Sequence, residues 1–263
     1  MTYNPFAELF DTIPATAMQT YVVLMFVLVV VATLADVIHK KSAKYFFQNA
    51  KKAHDARTRD VGSGEKTAIL IRTVASDVLT SSEFCNPRRR FVHLLTMYGF
   101  SAYVVTTVIL VFGYTDPAMP APGIVAALWH LGALSVCVGG YWFWFFIRVD
   151  VAVEGYPWYR VIRADLFVLS LLACTTFALL WSIFQGSGAG ALASIFFWVF
   201  VASNTMLFGG VLWSKFAHMF FKSAAAFQKH VAEADGSMDN LPPPADRPET
   251  MGLGIKRELP HHY

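Results

Sequence analysis

The chain has 263 residues, 56% of them hydrophobic and 15% charged, with 21 Lys and Arg against 18 Asp and Glu for a net charge of +3. A soluble domain carries about a quarter charged residues, so this composition, with a mean hydropathy of +0.47, excludes an ordinary globular enzyme and indicates a membrane protein. So small a net charge is no nucleic-acid signal; the basic residues serve membrane topology and contacts to anionic lipid headgroups.

The first apolar stretch is Ala17–Ala35. Residues 1–20 contain no Lys or Arg, and Asp36, His39, Lys40 and Lys41 follow the stretch directly. That is a stop-transfer pattern rather than a cleaved signal. The loop 36–90 comes next. KKSAKYFFQNAKKAHDARTRD reads as a basic interfacial helix, and DVGSGEK breaks it. GSGEKT does not satisfy the phosphate-loop pattern. Residues 65–80 carry Ile69, Leu70, Val74, Val78 and Leu79 at helical spacing, which predicts a second amphipathic helix on the membrane surface or against a partner.

Four more apolar stretches follow: Phe91–Gly113, Ile124–Ile147, Leu166–Phe184 and Ala191–Trp213. All five are near the roughly 17–25 residues a spanning helix needs. Each must be helical, because an open strand leaves backbone polar groups unsatisfied in hydrocarbon. The third ends in YWFWFFIR, Tyr141–Arg148, an aromatic belt with a basic stop. The tail 233–263 is rich in Pro, Gly and charge, so it is expected not to fold alone and to dock on a partner surface or dangle. The exposed His261-His262 pair at its end is a poor metal site.

Twelve Lys and Arg lie in segment 36–90, three in 148–163 and six in the C-terminal part, which accounts for all 21. By the positive-inside rule the N-terminus is outside and the C-terminus cytoplasmic. The expectation is an all-α integral membrane five-helix bundle, multi-pass in the inner (cytoplasmic) membrane. Amphipathic cytoplasmic helices and an extended C-terminal tail complete it, with a membrane domain 1–232 and a tail 233–263. Cys85, Cys137 and Cys174 form no CxxC pair and read as a reduced, structural set without an iron–sulfur cluster.

Of eight histidines, three fall in or near spans: His93, His130 and His218. A titratable residue in a membrane helix is by default a functional candidate. His93 stands at the cytoplasmic start of the second span and His218 just past the cytoplasmic end of the fifth. Their depths match to within about one helical turn, roughly 5 Å. They are therefore the candidate axial pair for one heme b, with Arg90 and Lys215, together with Arg88 and Arg89, as propionate or headgroup contacts. The alternative left open is that the arginines only set topology and both histidines snorkel at the interface. His130, beside Trp129 near the outer interface, reads as a satisfied interfacial residue, with a quinone contact as the second reading. Asp165, at the mouth of the fourth span beside Arg163, reads as an ion-pair or N-cap residue.

AILIRTVASDVLTSSEFCNPRRRFVHLLTMYGF resembles the entry to the second span in membrane cytochrome b subunits similar to the nitrate reductase gamma subunit, a family with heterodisulfide-reductase-like and quinone-interacting members. LWSKFAHMFFK, Leu212–Lys222, resembles the fifth-span exit of those proteins, where the histidine is a heme ligand. The resemblance covers most of residues 65–222 and implies five spans with the N-terminus outside. YRVIRADLF and the ETMGLGIKRELPHHY tail are similar, more narrowly, to the membrane anchors of dissimilatory adenylylsulfate reductases of sulfur oxidisers. This implies cytoplasmic flavoprotein and iron–sulfur partner subunits, the alpha and beta subunits of adenylylsulfate reductase. Electrons from sulfite oxidation with AMP would pass to this chain and on to quinone. Two-heme members carry a second histidine ten residues after the first and another eighteen before the last. Those positions are Tyr103 and Phe200 here, so the outer heme is expected to be absent. The expected function is electron transfer through one heme b as a subunit rather than a stand-alone enzyme. The alternative is a heme-free anchor that docks the soluble reductase and offers a quinone pocket. A transporter is disfavoured, because no inverted repeat is visible and the span centres hold almost no charge.

Overall fold

The structure, a computed structural model, describes residues 3–39, 42–84, 86–116, 120–148, 157–212, 218–237, 250–251 and 255–256, with the backbone alone at 42–43, 212, 218–221 and the last two pairs. The described residues are helical in all their main elements. Five helices are long and apolar enough to cross a bilayer: α1 (Ala15–His39), α4 (Pro87–Gly113), α5 (Gly123–Trp142, prolonged by a π-helical turn to Ile147), α6 (Leu166–Gly186, preceded by the 3-10 turn Arg163–Asp165) and α7 (Gly190–Gly209). The chain is a multi-pass membrane protein of the all-α class. Three further helices carry polar surfaces: α2 (Ser42–Asp55), α3 (Ser63–Thr73) and α8 (His218–Ala234). The chain clusters into two compact units, Met1–Asp36 with Arg88–Ala217, and Val37–Pro87 with His218–Tyr263.

In the first unit α6 and α7 form the most extensive pair, and α5 packs on α6. The α6–α7 turn runs through Gly188 at φ +76°, a left-handed conformation that glycine adopts without steric cost. Around it, the Ser187 and Gly188 amides donate to Ile183 O at 3.1 Å and Gln185 O at 3.0 Å, so the last carbonyls of α6 are satisfied before the chain reverses. α4 and α5 meet at two glycines. A Cβ on Gly99 would lie 2.9 Å from Gly132 O, and one on Gly132 would lie 2.8 Å from Gly99 O. The backbones can approach this closely only without side chains, the usual device where lipid offers no hydrophobic drive between helices. Ser135 Oγ adds a bond to Leu95 O at 2.8 Å across the same seam.

α1 is attached more lightly, through Gln19 Nε2 donating to Val111 O at 3.2 Å and Tyr21 Oη donating to Val201 O at 3.1 Å. Its buried side is only Met18, Met25, Ala32 and Asp36, while Val23, Val27, Val30 and Val31 are exposed. A helix apolar all round but little buried is suited to lipid rather than water.

Some helix ends differ from the sequence expectation. The second span starts at Pro87, not Phe91, because proline with its fixed φ fits the first helical position. Arg88, Arg89 and Arg90 therefore lie within the first turn, where the macrodipole disfavours cations. The fifth helix ends at Gly209 and passes into the 3-10 turn Gly210–Leu212. Two successive glycines lower helix propensity by about 1 kcal/mol each.

In the second unit α8 packs on α2, α3 and the π-helical turn Val74–Leu79 that prolongs α3. α2 is helical where a basic helix was expected, and α3 with its π turn is helical where the apolar spacing predicted a helix. The start of the tail is not extended as expected. α8 runs on to Ala234, and the Asp235 carbonyl accepts the amides of Thr58 at 2.9 Å and Arg59 at 3.2 Å. Arg59 also reaches Ala234 O and pairs with Glu65, both at 2.5 Å. Further along, Thr250–Met251 pairs antiparallel with Ile255–Lys256. The rest of the tail lies outside the described residues.

Candidate functional site

The residues expected to hold heme fall in both units. His93 is on the exposed side of α4, the seventh residue of that helix and so roughly 9 Å along its axis from the start. Arg89 and Arg90 before it are half-buried, and Arg89 Nη2 donates to Ile147 O at 3.4 Å, tying the start of α4 to the end of the π turn after α5. His218 opens α8, but its side chain lies outside the described residues, as do Lys215 and Cys85. An imidazole flanked by arginine cations is chemically suited to an anionic heme. The convergence of the two histidines is not a feature of the described side chains.

Tyr103 of α4 and Phe200 of α7 converge, both lining one cavity of about 230 Å³. Its walls come from α1, α4 and α7 together with Phe6 of the N-terminal segment. Behind it stands a continuous aromatic cluster. Tyr103 lies 5.3 Å from Trp129, Trp129 6.2 Å from Trp181, and Trp181 stacks on Phe200 at 5.7 Å with 8° between the planes. A phenol and a phenyl supply no pair of imidazole ligands, and the indoles occupy the space beside them. Among the described residues no cluster of three His, Cys, Asp or Glu side chains is placed for a metal ion.

The cavity is apolar but has a polar wall. Cys174 Sγ donates to Asn204 Oδ1 at 3.4 Å, Asn204 Nδ2 donates to Tyr21 Oη at 3.0 Å, and Tyr21 Oη lies 2.9 Å from Thr205 Oγ1. On another side Trp129 Nε1 donates to Thr107 Oγ1 at 2.9 Å. Tyr103 is 3% exposed, and its hydroxyl has no oxygen or nitrogen partner; only the Cys174 thiol, a weak acceptor, stands beside it. Leaving a buried hydroxyl unsatisfied costs about 1–3 kcal/mol. The sequence carried a signal for this wall that went unread. Asn204 is an amide inside an otherwise apolar span, and such a residue needs a partner.

His130 is satisfied, as expected, and is buried in the bundle at 4% exposure. Nδ1 lies 2.7 Å from Ala126 O and donates to it, and Nε2 lies 2.7 Å from Ser182 Oγ. Tyr3 donates to Ser182 O and lies 2.9 Å from Ser182 Oγ. Phe6 packs edge-on against Trp129 at 5.7 Å and Trp181 at 5.2 Å. Gln185 Nε2 donates to Pro5 O at 2.7 Å and holds the segment in place. The N-terminal residues thus stopper this end of the bundle.

Asp165 takes the expected ion-pair role, though with Arg148 rather than Arg163, and its side chain makes no capping bond to the start of α6. It forms a bidentate pair with Arg148, Nε to Oδ1 at 2.8 Å, while its Oδ2 accepts the Ile162 amide at 2.9 Å. Arg148 also lies 4.0 Å over the Trp144 ring. Comparison with protein-family models, with curated proteins and with solved structures finds no match for the chain.

Proposed function

We propose that the chain is the membrane subunit of an oxidoreductase complex. It passes electrons between a cytoplasmic flavin and iron–sulfur partner, of the adenylylsulfate reductase kind, and membrane quinone. The orientation is N-terminus outside and C-terminus cytoplasmic, in the inner membrane. The observation that supports this reading is the convergence of Tyr103 and Phe200 on one cavity. These positions are 97 residues apart in the chain, and the resemblance to membrane cytochrome b subunits requires them to meet. A heme b, when bound, supplies one-electron transfer; His93 and His218 would hold it, with Arg90 and Lys215 facing its propionates. The amphipathic helices α2, α3 and α8 and the tail would dock the partner.

A second reading is favoured by the Tyr103 and Phe200 side chains themselves, since a chain that has lost one ligand pair can have lost its redox group altogether. It is a heme-free anchor that presents quinone to the partner. A dithionite-reduced minus oxidised spectrum of the purified protein separates the two. A b-type α-band at about one heme per chain, abolished by His93→Ala and by His218→Ala, is the expected result. A folded, partner-bound sample without that band leaves the anchor reading.

A further inference from the structure

We infer that the end of the bundle where α4 starts, α5 ends and α6 starts binds the headgroup of an anionic phospholipid. The site requires neither heme nor quinone, so it holds under both functional readings. Arg148 shapes it from behind. Its side chain is 10% exposed and is spent on Asp165, on Arg160 O at 2.6 Å and on Trp158 O at 3.4 Å. Those bonds hold the loop 157–163, PWYRVIR, in one shape, together with the Arg160 amide donating to Pro157 O at 3.0 Å. Because Arg148 takes the Asp165 carboxylate, Arg163 is left exposed and without an ion-pair partner among the described residues. Arg160, three residues before it, is exposed as well. The start of α4 reaches the same place, since Arg89 donates to Ile147 O. Residues 87–91, 141–148 and 157–167 thus bring six arginines together with a single carboxylate, Asp165, and that one is buried. The cations border a continuous strip of rings. Tyr141 stacks on Phe145 at 6.2 Å, Phe145 lies 5.4 Å from Trp158, and Trp158 lies 5.8 Å from Tyr159. Exposure rises along that strip from 40% at Tyr141 to 67% at Tyr159. Tyr141 and Phe145 belong to a spanning helix, so acyl chains cover them, and the strip carries that contact on to the loop that presents Arg160 and Arg163. An acidic protein surface matches the arginines but not the rings of a spanning helix. An anionic lipid matches both, with its chains on the rings and its phosphate on guanidinium forks.

The test is native mass spectrometry of the full-length protein released from detergent, titrated with phosphatidylglycerol and, separately, with phosphatidylcholine of the same chains. Phosphatidylglycerol should bind about tenfold more tightly or better. Arg160→Gln and Arg163→Gln should each weaken it about fivefold, the effect of one cation beside a charged lipid, and leave phosphatidylcholine unchanged. Lys51→Gln with Lys52→Gln removes the same charge from α2 as the two arginine changes do together, and should leave phosphatidylglycerol binding as in the wild type. Equal losses in the two double variants would mean diffuse attraction to a basic chain and would overturn the site. A wild type that binds the two lipids alike would overturn it too, and would leave the patch to an acidic face of a soluble partner. If glycerol phosphate, the anion without the chains, displaces phosphatidylglycerol at equal concentration, the ligand is a free phosphate and the lipid assignment falls.

Discussion

His230 of α8 places Nε2 2.7 Å from Asp77 Oδ2 and Nδ1 3.1 Å from Glu233 Oε2, so one ring bridges the π turn after α3 and the end of α8. The hydrogen bond to Asp77 raises the His230 pKa above its ordinary value, against a smaller opposing effect of burial. Burial would lift the Asp77 carboxyl, but hydrogen bonds from Ser82, His230 and Ser76 together outweigh it and hold the carboxyl low. A raised histidine pKa stabilises fully below the unfolded value near 6.5 and is lost as pH rises through the folded value. A depressed carboxylate stabilises above the unfolded value near 3.8 and is lost as pH falls through the folded one. The latch is therefore strongest in mildly acidic solution. Lys229, 4.0 Å from Glu233, competes for one carboxylate but not for Asp77. Hydrogen exchange along residues 226–235, corrected for intrinsic rates, should accelerate between pH 6 and pH 9. His230→Gln should remove that pH dependence, and an unchanged profile in the variant would show that the latch does not form. The Arg148–Asp165 pair makes a different case, because its side chains are only 10% and 12% exposed. Asp165→Ala strands a buried guanidinium and should cost about 3–5 kcal/mol, whereas replacing both, Arg148→Met with Asp165→Leu, should recover most of it. Thermal unfolding in detergent reads this directly: equal losses in the single and double variants would mean that the pair is not coupled.

The α4–α5 seam shows how far one atom decides an element's position. Gly132→Val would put its Cβ 2.8 Å from Gly99 O and Tyr103 N, both backbone atoms that cannot swing away. The two helices must separate, and because Tyr103 hangs from that stretch of α4, the cavity wall moves with them. Gly132→Val should lower thermal stability by roughly 1–3 kcal/mol, and Gly113→Val, with open space around its Cβ, should not. Equal stability of the two variants would contradict the close crossing. The five spans were legible in the sequence because an apolar run of about 20 residues has no other fold in lipid. The amphipathic helices were legible from the spacing of Ile69, Leu70, Val74 and Val78. The seam and the cavity were not. Gly99 and Gly132 look like ordinary weak helix formers until two helices are crossed. Tyr21, Tyr103 and Asn204 lie on three helices whose neighbours are set by packing alone. The arginine run misled in a simpler way: charge suggested an interface, but Pro87 had already started the helix.

Five spanning helices put the two ends of the chain on opposite sides of the membrane, and which side is which decides whether the proposed partner can reach α2, α3 and α8 at all. The charge asymmetry is lopsided. Twelve basic residues lie in segment 36–90, while none lies in residues 1–20 or in the two short connections 114–122 and 187–189. Nearly all of those twelve lie within roughly 15–20 residues of a span end, the range over which the rule operates. The three arginines in the first turn of α4 oppose the helix macrodipole, which costs about 0.3–1 kcal/mol per charge. That unfavourable placement is explained if they must stay on the cytoplasmic face. Thr12 and Ser63 are both exposed and lie on opposite sides of α1, so they report the orientation. With Cys85→Ser in the background, and Cys137 and Cys174 buried, a membrane-impermeant maleimide should label Thr12→Cys in intact cells. It should label Ser63→Cys only after the inner membrane is opened. The reverse pattern would place α2, α3 and α8 outside, where no cytoplasmic flavoprotein could dock, and would remove the electron-transfer and anchor readings together. Replacing Arg88, Arg89 and Arg90 with Gln should then show whether the run sets the topology. Mixed labelling of Ser63→Cys would mean that it does, and unchanged labelling would leave those three cations for another use, such as charges beside His93.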